Sequence, residues 1–342
     1  MDKICANCLW WSANHVKPEK AEGSYPCYNP LIARDMGGNE FCEHWLGPDS
    51  TEANVPNHTP KGSMTEPNPN PVDGPVEVLI VTHAKDFDWL VMALKCAQRH
   101  LRGFQGITVV YPHHQRENFA PLLDQFDVKL HGFDEIPGKG FLQHEIMLAS
   151  GDLFLPTTTK YVLTCDADCM FRMPTTPEHY FWNNKPYCIV RSWESLTTED
   201  PQRPGSKVVS DCLMWRDPTN HQLGFSTPIF GMCMNTVVFP MDLFPKYRAH
   251  IAKVHPEGFE RFMLSGRNEW PQDRMDFTAM VSYAYKHMPE RFHWFDTEKP
   301  PYPVDRKRAY WSHGGIHEDI RKEIEGFLNY QPTPEEVTRM HE

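Results

Sequence analysis

Two aspartates separated by one residue, Asp166 and Asp168, are best placed to do chemistry, because they directly follow the apolar run YVLTC. Residues two apart on a strand point to the same side, and a bend at the strand end lets both face one site. Two carboxylates at so short a distance repel each other unless a positive charge lies between them. Because Mg²⁺ and Mn²⁺ prefer such oxygens, the pair predicts a divalent metal site; the alternative is two turn carboxylates that cap the next element.

A third candidate ligand lies near the C-terminus, where His313 is followed by Gly314 and Gly315. Glycine amides approach a metal or a diphosphate without obstruction by a side chain, which makes this segment a candidate for both. The alternative is an ordinary surface or core histidine, since the chain contains 18 of them.

A separate metal site is predicted at the N-terminus, where the cysteines Cys5, Cys8, Cys27 and Cys42 are crowded together. A Cys-x-x-Cys pair with two further cysteines is typical of tetrahedral Zn²⁺, and His44 is an alternative fourth ligand. The segment also resembles high-potential iron–sulfur proteins, so a [4Fe–4S] cluster is the alternative to zinc. So small a unit needs a bound metal to hold it together, and a structural zinc is favoured over the cluster.

The chain divides into a cysteine-rich module at 1–48, a Pro- and Asn-rich linker at 49–75 and a large α/β domain at 76–342. Strands are predicted at 76–82, 107–112, 128–132, 161–168, 188–193 and 235–240, and helices at 86–101, 141–155, 241–254, 256–266 and 273–288. The alternation of strands and helices predicts a mostly parallel sheet flanked by helices. A ligand site is expected at the carboxyl ends of its strands, where the aspartates lie.

The composition narrows the classes of function. The chain has a net charge of −11, which disfavours a protein that wraps nucleic acid, because phosphate binding needs positive charge. No run of eighteen apolar residues and no signal peptide is present, so a cytoplasmic protein without a membrane span is expected (in the host cytoplasm if a phage encodes it).

Five segments carry a family resemblance: GKGFLQHEIMLAS, YVLTCDADCMF, FGMCMNTVVFPMDLF, WPQDRMDFTAMVSYAYKHMPERFHW and WSHGG. In their order and spacing, over roughly residues 76–315, the chain resembles the GT-A glycosyltransferase superfamily, with its Rossmann-like domain, and looks closest to glycosyltransferase-like families of bacteria and phages. The resemblance implies transfer of a sugar from a nucleotide-sugar donor to an acceptor hydroxyl. A UDP-sugar is the first candidate for the donor.

The resemblance also implies roles for individual residues. Asp168 would be the main carboxylate ligand of Mn²⁺ or Mg²⁺, Asp166 would touch the ribose, the sugar or the metal, and His313 would complete the ligands. The residues expected to bind the nucleotide sugar are Thr82, His83, Asp86, Lys139, Gln143, Asp166, Gly314 and Gly315. For Lys139 the alternative is a solvated loop lysine.

An inverting transferase also needs a base for the acceptor hydroxyl, and the candidates are Asp273 and Asp276. They are three residues apart and would share one face of a helix, with Asp273 preferred because it lies near the predicted helix start. The family pattern has Glu where this chain has Asp. The alternative role for Asp273 is a helix cap.

Two other functions are alternatives to a glycosyltransferase. A sugar nucleotidyltransferase would need a glycine-rich loop after the first strand, but the sequence there is THAKDFDW. The other rival is a non-catalytic nucleic-acid- or partner-binding module on a degenerate transferase fold. The acceptor is open: a modified phage DNA base and a glycan are both candidates, and the basic run Arg306, Lys307 and Arg308 would either contact DNA or form a solvated surface.

Overall fold

In the computed structural model the described residues are 72–197, 212–233, 236–268, 273–297, 299, 303, 306–310, 312 and 315–331. The cysteine module, most of the linker, His313 and Gly314 lie outside them. The zinc site and the roles of His313 and Gly314 therefore stay predictions.

The strands follow the predicted order closely. They are β1 Val76–Val81, β2 Gly106–Pro112, β3 Lys129–Phe133, β4 Tyr161–Asp166, β5 Cys169–Phe171, β6 Phe181–Trp182, β7 Lys185–Ser192, β8 Ile229–Phe230, β9 Thr236–Pro240, β10 His293–Asp296 and β11 Lys307–Ala309.

The helices alternate with the strands in the first half of this region. They are α1 Phe87–His100, α2 Arg116–Phe119, α3 Gly140–Leu148, α4 Trp193–Thr197, α5 Arg216–Leu223, α6 Leu243–Val254, α7 Phe259–Leu264, α8 Phe277–His287 and α9 Glu318–Leu328. No helix among the described residues is long and apolar enough to cross a membrane.

The central sheet has the strand order β3-β2-β1-β4-β9, with every neighbouring pair parallel except β4 and β9. Successive side chains of β1 enter different cores: Val78 and Ile80 pack with α1, whereas Leu79 and Val81 pack with α6 and α8. Burial on both faces explains the continuous apolar sequence of this strand. The predicted α/β chain with a mostly parallel sheet flanked by helices is confirmed.

A small antiparallel pair ties the C-terminal region to the centre of the molecule. Strand β11 pairs with β5, directly after the aspartates. Helix α9 then packs on α1, where Ile324 joins a buried group with Trp89 and Tyr310. Segments far apart in sequence are thus brought to the carboxyl edge of β4.

The helix predicted at 273–288 begins later, at Phe277. Asp276 is its N-cap, and its carboxylate accepts a hydrogen bond from the Phe277 amide. Asp273 lies outside the helix, where its Oδ1 accepts from the Arg267 amide at 2.6 Å. The prediction that the two aspartates share a helical face is therefore wrong, because both carboxylates bind backbone amides that precede or start the helix.

The helix predicted at 141–155 is also shorter, since α3 ends at Leu148 and a separate 3₁₀ turn spans Gly151–Leu153. Gly151 packs so closely on the sheet that an added Cβ would lie 2.9 Å from Leu79 Cδ2. A larger residue here would displace the Leu79 side chain in the core.

His179, whose Nδ1 accepts a hydrogen bond from the Thr176 amide at 2.9 Å, should make a destabilising contribution to this fold in mild acid. Burial, followed by the positive charge of Arg306, lowers the pKa of His179 from 6.5 to about 4. The neutral form of His179 is favoured in the folded state. The stability that this histidine contributes is therefore fully present above pH 6.5 and is lost as the pH falls towards 4. The loss is on the order of 1.4 kcal/mol per pH unit in this window.

The measurement is urea unfolding from pH 7 to pH 4, comparing wild type with His179→Gln, whose amide oxygen can still accept from Thr176. We expect the stability of this variant to rise relative to that of wild type as the pH falls, because both proteins share every other titrating group. His113→Gln, an exposed histidine, is the control and should match wild type. Equal slopes in all three proteins would contradict the prediction.

Candidate functional site

The aspartate pair, Asp166 and Asp168, lies at the carboxyl end of β4. Asp166 is the last residue of the strand, and Asp168 follows in the turn that leads to β5. Ligand atoms of Asp166, Asp168 and Cys169 all lie within 4.8 Å of one another. The two carboxylates therefore face a common point, while Cys169 is fully buried beneath them.

The segment after β11 holds Asp168 in place. The Ser312 amide donates to Asp168 Oδ2 at 2.9 Å, and the Tyr310 amide donates to the Asp168 carbonyl at 3.0 Å. The Trp89 indole on α1 in turn donates to the Ser312 carbonyl at 3.1 Å. The chain therefore passes directly beside Asp168 one residue before His313.

A second set of ligating side chains lies next to the pair and is called here the acid–histidine group: His144 and Glu145 from α3 and Asp276 from the start of α8. Its three ligand atoms also lie within 4.8 Å of one another. The carboxyl groups of Glu145 and Asp276 lie close enough to share a proton. Residues more than a hundred positions apart thus meet beside the strand end.

The electrostatics of the two sets are coupled. Burial, followed by the charge of Asp166, raises the pKa of Asp168 to about 8. Burial raises the pKa of Asp166, and the positive charges of His144 and Lys307 offset part of this rise. Burial and the neighbouring acids raise the pKa values of Glu145 and Asp276 well above their usual range. This concentration of acid is costly unless positive charge is added.

A divalent cation fits the aspartate pair. Its carboxylate oxygens are the donors that Mn²⁺ and Mg²⁺ prefer, and both residues retain a partly exposed surface through which a ligand can enter. A cation there would compensate charges that the protein leaves close together.

The basic run at 306–308 is neither a solvated surface nor a free basic patch. Lys307 is only 3% exposed and acts electrostatically on Asp166. Arg306 donates to the Pro174 carbonyl at 2.7 Å, and Arg308 lies 3.5 Å from a Glu323 carboxylate oxygen. The expectation of a solvated run is wrong, because pairing with β5 turns this strand inward.

The residues predicted for the nucleoside side lie at the carboxyl end of β1. Thr82 is 5% exposed, and its hydroxyl has no hydrogen-bond partner among the described residues. His83 Nε2 lies 2.6 Å from the Gln115 amide nitrogen and 3.8 Å from Glu135. Asp86 lies close enough to the aspartate pair to raise the pKa values of both members. These positions line one continuous edge of the sheet.

Two other predicted contacts lie around the start of α3. Gln143 is buried, its amide oxygen accepts from the Ile136 amide at 2.5 Å, and its amide nitrogen donates to the Asp134 carbonyl at 3.0 Å. Gln143 thus holds the loop after β3. Lys139 is the half-buried N-cap of α3.

The remaining predicted residues lie on either side of the site. Gly315 has φ of +70°, a conformation that favours glycine, and its amide donates to the Ser312 carbonyl. Of the two candidate bases, Asp276 belongs to the acid–histidine group. Asp273 instead binds the Arg267 amide and lies 3.5 Å from Arg274.

Sequence reasoning missed His144 and Glu145, and it did not predict that Lys307 lies near Asp166. The available signal for Glu145 was an acid within the apolar stretch of GFLQHEIML, at a position that a helix of this length buries. The sequence does not distinguish Lys307 from the two arginines beside it. Only the pairing of β11 with β5 shows which of the three side chains faces inward.

Comparisons with known proteins add structural likeness only. No family model matches the chain, and no curated protein sequence does. One similar solved structure is mouse xyloside xylosyltransferase 1 in its apo form, with 12% identity, 65% of this chain and 85% of that chain covered, and a TM-score of 0.34. Another is the galactosyltransferase LgtC in complex with donor and acceptor sugar analogues. It shares 8% identity, with 77% of this chain and 99% of that chain covered, and the TM-score is 0.44.

Proposed function

We propose that this chain is a metal-dependent glycosyltransferase of the GT-A type that uses a nucleotide sugar, with a UDP-linked donor as the first candidate. One observation carries the proposal: Asp166 and Asp168 converge at the carboxyl end of a central parallel strand, where an α/β sheet binds its ligands. The carboxylates of this pair lie close together, so the site suits a substrate that binds together with a divalent cation.

In this proposal Asp168 is the principal ligand of Mn²⁺ or Mg²⁺, and Asp166 contacts the same cation or the sugar. His313, next in sequence to Ser312, is the proposed third ligand. A cation held there supplies Lewis-acid stabilisation of the diphosphate leaving group. Thr82, His83 and Asp86 form the edge at which the nucleoside binds.

The transfer breaks the bond between the anomeric carbon and the diphosphate oxygen and forms a bond to the acceptor oxygen. If the anomeric configuration inverts, the acceptor hydroxyl also gives its proton to a base. Asp276 is the better placed of the two candidates, because it lies beside the aspartate pair, whereas Asp273 belongs to neither set of ligating side chains.

Thermal unfolding with UDP-, GDP-, ADP- and CMP-linked sugars, with and without Mn²⁺, tests the proposal. A donor at about 100 times its Kd should stabilise the protein by about 2.7 kcal/mol, because it binds only the folded state. We expect this shift for one nucleotide class, only with Mn²⁺, and not in Asp168→Ala.

Asp124→Ala is the matched control, since Asp124 is an exposed aspartate away from the site, and it should respond as wild type does. No shift with any donor in either metal condition would contradict the proposal. A shift without Mn²⁺, unchanged in Asp168→Ala, would contradict the metal-dependent mechanism and favour the binding-module alternative.

A further inference from the structure

The acid–histidine group has the dimensions of a cation site of its own. His144 Nδ1 lies 3.8 Å from Glu145 Oε1, and Asp276 offers an oxygen within 4.8 Å of both. Two ligands bound to one ion at about 2.1 Å lie roughly 3 to 4.2 Å apart. Small rotations of the three side chains would therefore bring them onto a single ion.

Glu145 gives an independent indication that something is bound there. The side chain is 4% exposed, and its Oε2 has no hydrogen-bond partner among the described residues. A buried carboxylate oxygen without a partner is costly, and the other buried residues of α3 offer none: Leu142 and Ile146 are apolar, and the Gln143 amide is engaged by the loop after β3. A bound cation would supply the partner that the described residues do not.

We propose that His144, Glu145 and Asp276 form a second divalent-cation site, distinct from the aspartate pair. One imidazole nitrogen and two carboxylates suit ions of the Mn²⁺ and Zn²⁺ class better than Mg²⁺, which prefers an all-oxygen shell. Asp166 interacts electrostatically with all three residues, so the two sites are neighbours.

The role of this second site rests on the proposed function. Because His144 and Asp276 are partly exposed, a cation here keeps positions open for an oxygen ligand, which we assign to the acceptor hydroxyl. A hydroxyl bound to a divalent cation ionises more readily than a free one. Asp276 then holds the cation through one carboxylate oxygen and takes the proton of the hydroxyl on the other, so it remains the base of the proposed transfer.

Counting bound Mn²⁺ on the full chain by electron paramagnetic resonance tests the proposal. Mn²⁺ alone is the probe, because the N-terminal cysteines favour softer ions. The variants are His144→Ala, Glu145→Gln and Asp168→Asn, and His144→Ala is the variant less prone to misfold, since that side chain is 31% exposed. His293→Ala, another half-buried histidine outside both sets, is the control.

Wild type and the control should bind about two Mn²⁺ ions, and each of the three variants about one. Retention of the wild-type number in both His144→Ala and Glu145→Gln would overturn the second site. A single wild-type ion lost only in Asp168→Asn would overturn it while leaving the proposed function intact. A single ion lost only in His144→Ala and Glu145→Gln would support the second site and contradict the metal role of the aspartate pair.

Discussion

Replacing Asp168 with asparagine is expected to lower the rate of sugar transfer by about 10³-fold. This variant keeps the size of the side chain and an oxygen that can accept from the Ser312 amide, which lies 2.9 Å from Asp168 Oδ2. It removes the charge that would hold the cation against the diphosphate. Metal stabilisation of a leaving group is worth several kcal/mol, and about 4 kcal/mol corresponds to 10³-fold in rate.

The measurement is turnover with the donor identified by thermal unfolding, over a range of Mn²⁺ concentrations. High Mn²⁺ should rescue the variant only in part, because a neutral amide is a poorer ligand than a carboxylate. Asp124→Asn, the same substitution at an exposed position, should leave turnover unchanged.

Metal-free stability separates loss of function from loss of folding. Burial, followed by the charge of Asp166, raises the pKa of Asp168, so a neutral side chain at this position removes an energetic cost from the folded state. We therefore expect Asp168→Asn to unfold at or above the wild-type denaturant midpoint without metal. Wild-type turnover in this variant would rule out the assigned role, and a large drop in the midpoint would make the activity result uninformative about catalysis.

Phe239→Ala is expected to be among the most destabilising single substitutions, at about 3–5 kcal/mol. Phe239 is fully buried on β9, where it pairs with Val162 of β4. Its ring packs edge-on against Phe244 and Phe292, with centroids 6.0 and 6.5 Å away. Alanine leaves a cavity between the sheet and its covering helices that these rings cannot fill without moving the backbone.

Urea unfolding provides the test, with the midpoint falling and the slope unchanged. Leu123→Ala is the control, because Leu123 is 56% exposed and its loss should change stability by less than about 0.5 kcal/mol. A change of under about 1 kcal/mol in Phe239→Ala would show that the core relaxes around the cavity. Strand β9 would then contribute little to the position of β4.

The fold was largely predictable because its elements are locally encoded. The apolar runs at 76–81, 107–112 and 161–165 are too short for helices and too apolar for loops, and burial on both faces of a parallel sheet accounts for them. The helical spacing of 87–100 likewise marks one buried face. The errors came at element ends, as at Asp273 and Asp276, where a single hydrogen bond to a backbone amide moves a boundary.

The sequence by itself determined the aspartate pair and its place at the end of a strand, because residues two apart in the chain need no other segment to bring them together. Only the tertiary structure decided that His144 and Glu145 meet Asp276, and that Lys307 turns inward toward Asp166. Those contacts join positions more than a hundred residues apart, and they depend on how α3, α8 and β11 pack around the carboxyl end of β4. Local periodicity in the sequence does not predict that packing, so the acid–histidine group can be identified only from the tertiary structure.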